Sequence, residues 1–385
     1  MRRYPSQPRP GWQRKVEALG FDFHTHTQVS PPVEYWNEEA CYIFTVEEID
    51  RLEEDTAQLH QMCLQAVDHV VSRERYAELG IPSAFWPLIQ ESWRAREFSL
   101  YGRFDLAYDQ GQRPKLLEYN ADTPTSLIEA AVVQWFWKEE VWPEFDQWNR
   151  LHEALIETWQ TLPAALTHFS YFADSLEDKR TVEYLADTAT QAGHSCKVLP
   201  IEQVGWDGAK LYFTDEQDER IGRMFKLYPW EWWVHEAFGQ HLLSKTFQPI
   251  EPAWKMILSN KGILAVLWEL FPGHPNLLPS FFDPSRLSGE VIRKPLLSRE
   301  GANVSLLTPS LGMGTPDTKL LETLGPYGEE GHVYQEFWPL PQFDGQRPVV
   351  GSWIIGDEPA GMGVREDPSL ITQNTSRFVP HIIEA

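Results

Sequence analysis

The chain has little cysteine. Cys41, Cys63 and Cys196 are the three in 385 residues, widely spaced and without a C-x-x-C. An odd, scattered set argues against a disulfide framework, and a reducing, cytoplasmic setting is expected. No apolar run reaches the ~18–20 residues that a membrane-spanning helix needs. The opening MRRYPSQPRPGWQRK is basic but lacks an apolar core, so no signal peptide is expected there. Positive charge is also scarce: 33 Lys and Arg against 56 Asp and Glu, a net charge of −23. Such a surface repels phosphate backbones, which excludes nucleic acid as the expected partner. It tolerates metal ions and cationic substrates. There is no internal repeat, no low-complexity tract, and no G-x-x-x-x-G-K-[ST] phosphate loop.

Apolar material, by contrast, is ample: 42% hydrophobic residues, with 17 tryptophans. At 385 residues the chain exceeds what one core usually serves, so two or three closely packed lobes are expected. Residues 1–20 read as an extended basic arm. Apolar residues three and four apart over 46–72 predict an amphipathic helix, with Thr45 and Glu48 as a capping box. A second helix is predicted over 83–95, and helical periodicity returns over 127–160. Between them, 99–109 and 114–122 read as two strands around a Gly-containing turn. Residues 165–225 have the rhythm of an α/β unit: LTHFSYF, then TVEYLADTATQAG, then CKVLPIEQV. A short helix over 262–271 and strands over 291–297, 332–340 and 348–367 complete an α/β chain.

The stretch FDFHTHTQ has the look of a strand feeding a metal-binding His-x-His pair, His24 and His26. A hydrolase of that kind needs further His and Asp ligands on later strands. His60 and His69 fall in a predicted helix, and His152, His168, His194, His235 and His241 form no ligand frame. The pair is therefore read as a decoy, with a metal-dependent hydrolase kept as a rival.

The stretch YGRFDLAYDQGQRPKLLEYNADTPTS says more. Alternation puts Glu118 and Asn120 on one strand face, and an antiparallel partner can set Asp105 against them. Three oxygen donors without His or Cys suit Mg²⁺, which favours carboxylates plus substrate phosphates. Arg103, two residues before Asp105, shares that face and is placed for a transferring phosphoryl group. A charged solvent face is the plain alternative for such a hairpin.

Further along, SNKGIL puts Lys261 at a helix start, and VIRKPLLSREGANVS puts Lys294 at a strand end before a loop with Arg299, Gly301 and Asn303. A small Gly-containing loop exposes backbone N–H groups to phosphate, and a lysine supplies a point charge. In YQEFWPL, Gln335 and Trp338 offer an adenine edge and wall on a strand, and Arg365 in GVRED closes the series. Taken singly, each lysine is more often a solvated surface residue; the joint pattern carries the reading.

With these blocks in order, the chain resembles the synthetase portion of the glutathionylspermidine synthase family, which has an ATP-grasp fold. The matching blocks are YGRFDLAYD, LEYNAD, SNKGIL-x-x-LW-x-LFP-x-H, V-x-RKPL-x-SREGAN, YQEFWPLP and GVRED, from about residue 99 to the C-terminus. The resemblance implies ATP-dependent ligation of a small carboxylate, such as a small peptide, to an amine such as a polyamine. It assigns Asp105, Glu118 and Asn120 to Mg²⁺, with two ions expected, and Arg103, Arg299 and Arg365 to catalysis. It gives Phe104, Lys261, Lys294, Glu300, Gly301, Gln335, Glu336, Phe337 and Trp338 to the nucleotide, together with a short strand near Leu370 and Ile371. Thr123, Thr125 and Glu231 fall at substrate positions.

The expected mechanism passes through an acyl phosphate, which needs shielding from water, so the 298–306 loop is the lid candidate. The resemblance implies an ATP-grasp region over 99–164 and 251–385, a pre-ATP-grasp-like α/β segment over 165–250, and N-terminal helices over 1–98. The chain departs from the family in three ways. The amidase of bifunctional members, and with it hydrolysis of the product, is not expected in these 385 residues, Leu227 replaces a hydroxyl residue, and a lysine is replaced around Gln373 and Asn374. An ATPase relative without an amide product remains the alternative.

Overall fold

The computed structural model describes residues 1–384 other than 28–29, 310–315 and 374. Asn374, one of the two positions at the replaced lysine, therefore lies outside the described residues.

Three sheets organise the molecule. The central one is antiparallel, ordered Arg377–Val379, Glu358–Asp367, Arg347–Ile355, Tyr101–Ala107, Lys115–Asn120. A second antiparallel sheet runs Ser280–Phe281, His332–Glu336, Val291–Pro295, Ser305–Pro309, Pro316–Glu322. The third is parallel, in the order Gln248–Ile250, Arg223–Lys226, Leu166–Tyr171, Ser195–Pro200. Helix Leu176–Gln191 makes the crossover between its first two strands in the chain, the connection that parallel pairing requires.

The long helix Val46–Ser72 forms where its periodicity predicts. Thr45 Oγ1 accepts from Glu48 N while Glu48 accepts from Thr45 N, a complete capping box. Its buried stripe, from Ile49 and Leu52 to Val70 and Val71, belongs to a core shared with Val350, Ile354 and Met362 of the central sheet. A second core gathers Trp36, Trp137, Trp159, Phe169 and Trp353. No helix of the described residues is long and apolar enough to cross a membrane.

Several boundaries differ from the sequence reading. Residues 1–20 are no loose arm: Arg2–Pro5 pairs with Ala40–Thr45, helix Trp12–Glu17 follows, and Trp12 and Val16 are buried. The basic residues hid two apolar anchors. The helical span 127–160 is broken into a π-helical turn Glu129–Val133 and helices Gln134–Val141 and Leu151–Trp159. Pro143 sits in the second break, two residues past Val141, where it cannot continue a helix. The predicted 83–95 helix begins as a 3₁₀ turn, Ser83–Phe85, before Trp86–Arg94. The strand expected over 332–340 stops at Glu336, because Pro339 and Pro341 lack the donor a ladder needs. Trp338 therefore stands beyond the strand. Leu370 and Ile371 lie in a bend, not a strand, held by Ser369 Oγ donating to the Ile371 carbonyl at 2.6 Å.

Candidate active site

The hairpin Tyr101–Ala107 and Lys115–Asn120 sets the site. Its register puts Asp105 opposite Glu118 and Arg103 opposite Asn120. Arg103 folds back on its own strand, donating from Nε to Asp105 Oδ1 at 2.7 Å and from Nη2 to Oδ2 at 3.2 Å. A third donor, Nη1, reaches the Thr125 carbonyl at 2.5 Å. The neighbouring strand leaves room for this: a Cβ on Gly351 would lie 2.9 Å from Arg103 Cδ. Arg365, on Glu358–Asp367, donates to Asp105 Oδ2 at 2.8 Å. Asp105 is thus gripped by two guanidiniums in a buried setting, where a charge needs such pairing.

The second sheet brings the opposite wall. Lys294 donates to Gln335 Oε1 at 2.8 Å and to the Leu117 carbonyl at 2.7 Å. Lys261 meets Glu118 at 3.0 Å and donates to the Ser298 carbonyl at 2.8 Å. Desolvation pushes Glu118 up, but Lys261 and Lys294 outweigh it and hold the carboxyl well below its usual range. Lys294 moves the other way. Its burial, partly offset by Glu118, brings it down to about 8.

Between the sheets lies one cleft. It is lined by Arg103, Asp105, Glu118, Asn120, Thr123, Thr125, Lys294, Gln335 and Arg365, by the loop residues Arg299, Glu300 and Gly301, and by Glu336, Phe337, Trp338, Leu370 and Ile371. These sequence-predicted residues converge. Three others stand apart. Lys261 is one contact behind, through Glu118. The Phe104 side chain is on the far face, fully buried and stacked on Tyr119 at 3.9 Å, because neighbours on a strand alternate. Glu231 does not line the cleft; it holds Arg299, which donates to it at 3.1 Å and lies over the Trp232 ring.

Could the hairpin hold a divalent ion? Two carboxylates and one amide oxygen give an all-oxygen set, with the remaining positions left to phosphates and water, as Mg²⁺ prefers. The Asn120 amide nitrogen donates to Glu118 Oε1 at 3.1 Å; a turn of the amide about its Cβ–Cγ bond presents its oxygen beside the two carboxylates instead, and the donor set then fits. Among the described residues no group of three or more His, Cys, Asp or Glu is gathered in this way. His24 instead meets Glu17 and Thr25, and His26 packs against the Tyr35 ring.

An acidic end of the cleft escaped the sequence reading. Glu177 lines it alongside Tyr35 and Ser126. Tyr35 donates to Glu129 Oε1 at 2.7 Å and shares a 2.9 Å hydrogen bond with Ser126. Burial, then repulsion from Glu177, pushes Glu129 up to about 8. Burial and Glu177 likewise raise Asp178 to about 7. In sequence, Glu177 and Asp178 look like ordinary first-turn acids favoured by the helix dipole. Only the parallel sheet, which aims that helix start at the cleft, reveals more.

The "Glutathionylspermidine synthase preATP-grasp" family signature matches residues 3–384. The chain belongs to the glutathionylspermidine synthase family. A family protein of Haemophilus influenzae, named "Putative acid--amine ligase", is 43% identical over 383 residues and covers 97% of each chain. The trypanothione synthetase of Crithidia fasciculata is 29% identical over 83% of this chain, and the bifunctional glutathionylspermidine synthetase/amidase of Escherichia coli 27% identical over 90%. This chain's match spans 53% and 60% of those two longer proteins. A solved glutathione-synthetase-like effector of Globodera pallida shares the fold, with a TM-score of 0.54 at 9% identity over 99% of this chain and all of its own. The family relatives are ligases, and this chain is an enzyme of that class.

Proposed function

We propose that the protein is an ATP-grasp ligase that joins a small carboxylate, such as a peptide, to an amine, such as a polyamine, with hydrolysis of ATP. The observation that carries this reading is the convergence of Arg103, Asp105, Glu118 and Arg365 on one sheet with Lys294 and Gln335 on another. Such a clamp can hold a triphosphate between two antiparallel sheets. In this reading the ATP-grasp region comprises residues 99–164 and 251–385, the pre-ATP-grasp-like segment residues 165–250, and the packed N-terminal region residues 1–98. A cytoplasmic setting belongs to the same proposal.

The carboxylate of the acid attacks the γ-phosphorus, the bond to the β-bridging oxygen breaks, and ADP leaves. An acyl phosphate remains, which the amine then attacks with loss of phosphate. Arg103 and Arg365 bind the transferring group, and Lys261 and Lys294 orient the nucleotide phosphates. Gln335, Glu336, Phe337, Trp338, Leu370 and Ile371 enclose the base. Asp105, Glu118 and Asn120 would hold Mg²⁺, two ions in the fullest form, which supplies charge neutralisation at the phosphates. The 298–306 loop excludes water from the acyl phosphate. The acidic end, with Glu177, suits a protonated amine, and a carboxylate there can take its proton.

The test is ADP release from MgATP with pools of small peptides and amines, followed by mass analysis of products. The expected result is turnover raised only when an acid and an amine are present together. ADP release indifferent to every pool would favour an ATPase without an amide product. Absence of nucleotide binding would sink the proposal.

A further inference from the structure

The second antiparallel sheet ends in an open edge. Strand Pro316–Glu322 pairs with Ser305–Pro309 on one side, and among the described residues no strand pairs with its other side. Free edges invite pairing with another chain, and charges or a bulge commonly blunt them. This edge has both, yet leucines stand out beside them: Leu320 is 54% exposed, Leu321 39% and Leu324, just past the strand, 92%. Leu320 and Leu321 also wall an open groove of about 560 Å³, with Leu306, Pro339, Leu340 and Leu370 around it.

The bulge decides what this edge can meet. Ser305 faces Glu322, Leu306 faces Leu321 and Leu307 faces Lys319, so Leu320 is one residue too many. Ser305 and Leu307 share a face of their strand, because side chains alternate with period two. Glu322 and Lys319 therefore share that face too, though three residues apart, and Lys319 Nζ donates to the Glu322 carboxylate at 2.6 and 2.7 Å. Backbone phase follows the same count. Residues opposite each other in an antiparallel ladder both turn their N–H and C=O groups toward the partner, or both turn them away. In an unbroken strand, residues three apart are out of phase. The extra residue brings Lys319 and Glu322 into phase.

The segment Lys319-Leu320-Leu321-Glu322 is its own complement when reversed: cation against anion, leucine against leucine. We infer that strand Pro316–Glu322 pairs antiparallel with the same strand of a second copy of this chain, Lys319 of each opposite Glu322 of the other, and the leucines meeting at the two-fold axis. Such an interface uses one patch twice. The leucines supply the apolar burial. The charges set register and partner choice, since an exposed ion pair adds little affinity. Glu322 keeps Arg293, which donates to it at 3.0 Å, and only the exposed Lys319 end changes partner. Two chains of net charge −23 repel, so contact between copies needs a local patch of matched charge. The contact is small, and a micromolar dimer is expected. The inference uses nothing of the nucleotide cleft and stands apart from the ligase reading.

Sedimentation velocity of the full chain over a concentration series, without nucleotide, tests this. Wild type is expected to pass from monomer to dimer. Lys319→Glu sets acid against acid across the axis, and Glu322→Lys sets base against base. Each alone should weaken dimerisation at least tenfold. Mixed in equal amounts, the two variants are complementary again and should form a mixed dimer. Both variants break the Lys319–Glu322 pair within the chain, and mixing cannot restore it, so recovery reports contact between chains. Both side chains are exposed, so unfolding midpoints should stay those of wild type. Leu320→Asp, which keeps both charges, should be monomeric. Wild type that is monomeric at every concentration, single variants that dimerise like wild type, or a mixture that stays monomeric would each overturn the inference. Loss of ADP release with the dimer intact would instead count against the ligase reading only.

Discussion

Asp105 and Glu118 face each other directly across neighbouring antiparallel strands. Like charges in that position destabilise a sheet, so the pair persists only because cations answer it. Arg103 and Arg365 hold Asp105, and Lys261 holds Glu118. A metal-bound nucleotide would take over that neutralisation. Glu118→Gln should therefore lower Mg²⁺-dependent ADP release by about 10²–10³, the usual cost of losing one group that stabilises transferring charge. Steady-state kinetics across a Mg²⁺ series checks this. Unchanged turnover at saturating Mg²⁺ would remove Glu118 from the metal site.

In the proposed reading, Lys294 makes the nucleotide site sensitive to alkali. Burial brings this lysine down to about 8, so its positive charge is present below that pH and lost as pH rises through it. Affinity for an ATP analogue should fall between pH 7 and 9 in the wild type. Arginine does not titrate there, so Lys294→Arg should flatten the pH dependence whatever it does to affinity overall. Fluorescent-nucleotide titrations at several pH values would decide, and parallel curves would reject this role.

Some of this site could be read before any fold was known. Arg103, Asp105, Glu118 and Asn120 lie on one short hairpin, where alternation alone fixes their common face. The capping box of Thr45 and Glu48 is equally local. Glu177, Glu129 and Tyr35 were not legible, since nothing near them in sequence brings them together. The Tyr35 phenol meets Glu129 across 94 positions, and the parallel sheet turns Glu177 from a helix-start acid into a cleft wall. Phe104 failed in the opposite sense. It belongs to a matching block, yet its side chain packs on Tyr119 behind the sheet.

Gly301 makes a prediction about the proposed lid. Its φ is +69°, and a Cβ there would come within 2.5 Å of the Thr372 carbonyl oxygen. Alanine would be strained by about 1–3 kcal/mol and would press on backbone that cannot swing aside. The loop should give way before the fold does. Gly301→Ala is expected to cut kcat/KM for ATP at least tenfold with little change in Tm. A matching fall in Tm would mean that the loop belongs to the global fold rather than covering the cleft.

Glu129 ties the acidic end of the cleft to stability. Its carboxyl is fully buried, with one oxygen accepting from Tyr35 and Oε2 without a hydrogen-bond partner among the described residues. Burial and Glu177 raise it from 4.5 to about 8. Folding then favours the protonated form. That contribution is full below the unfolded value, near 4.5, and is lost as pH rises through about 8. Glu129→Gln cannot ionise, so it should escape the alkaline loss, a difference on the order of a few kcal/mol. At pH 4, below the unfolded value, the variant has the opposite balance. Its amide places donors where Oε2 had no partner, at a cost of about 1–3 kcal/mol. Urea unfolding should therefore find Glu129→Gln the less stable protein at pH 4 and the more stable one at pH 9. Curves that keep the same order at both pH values would show that Glu129 is already ionised in the fold.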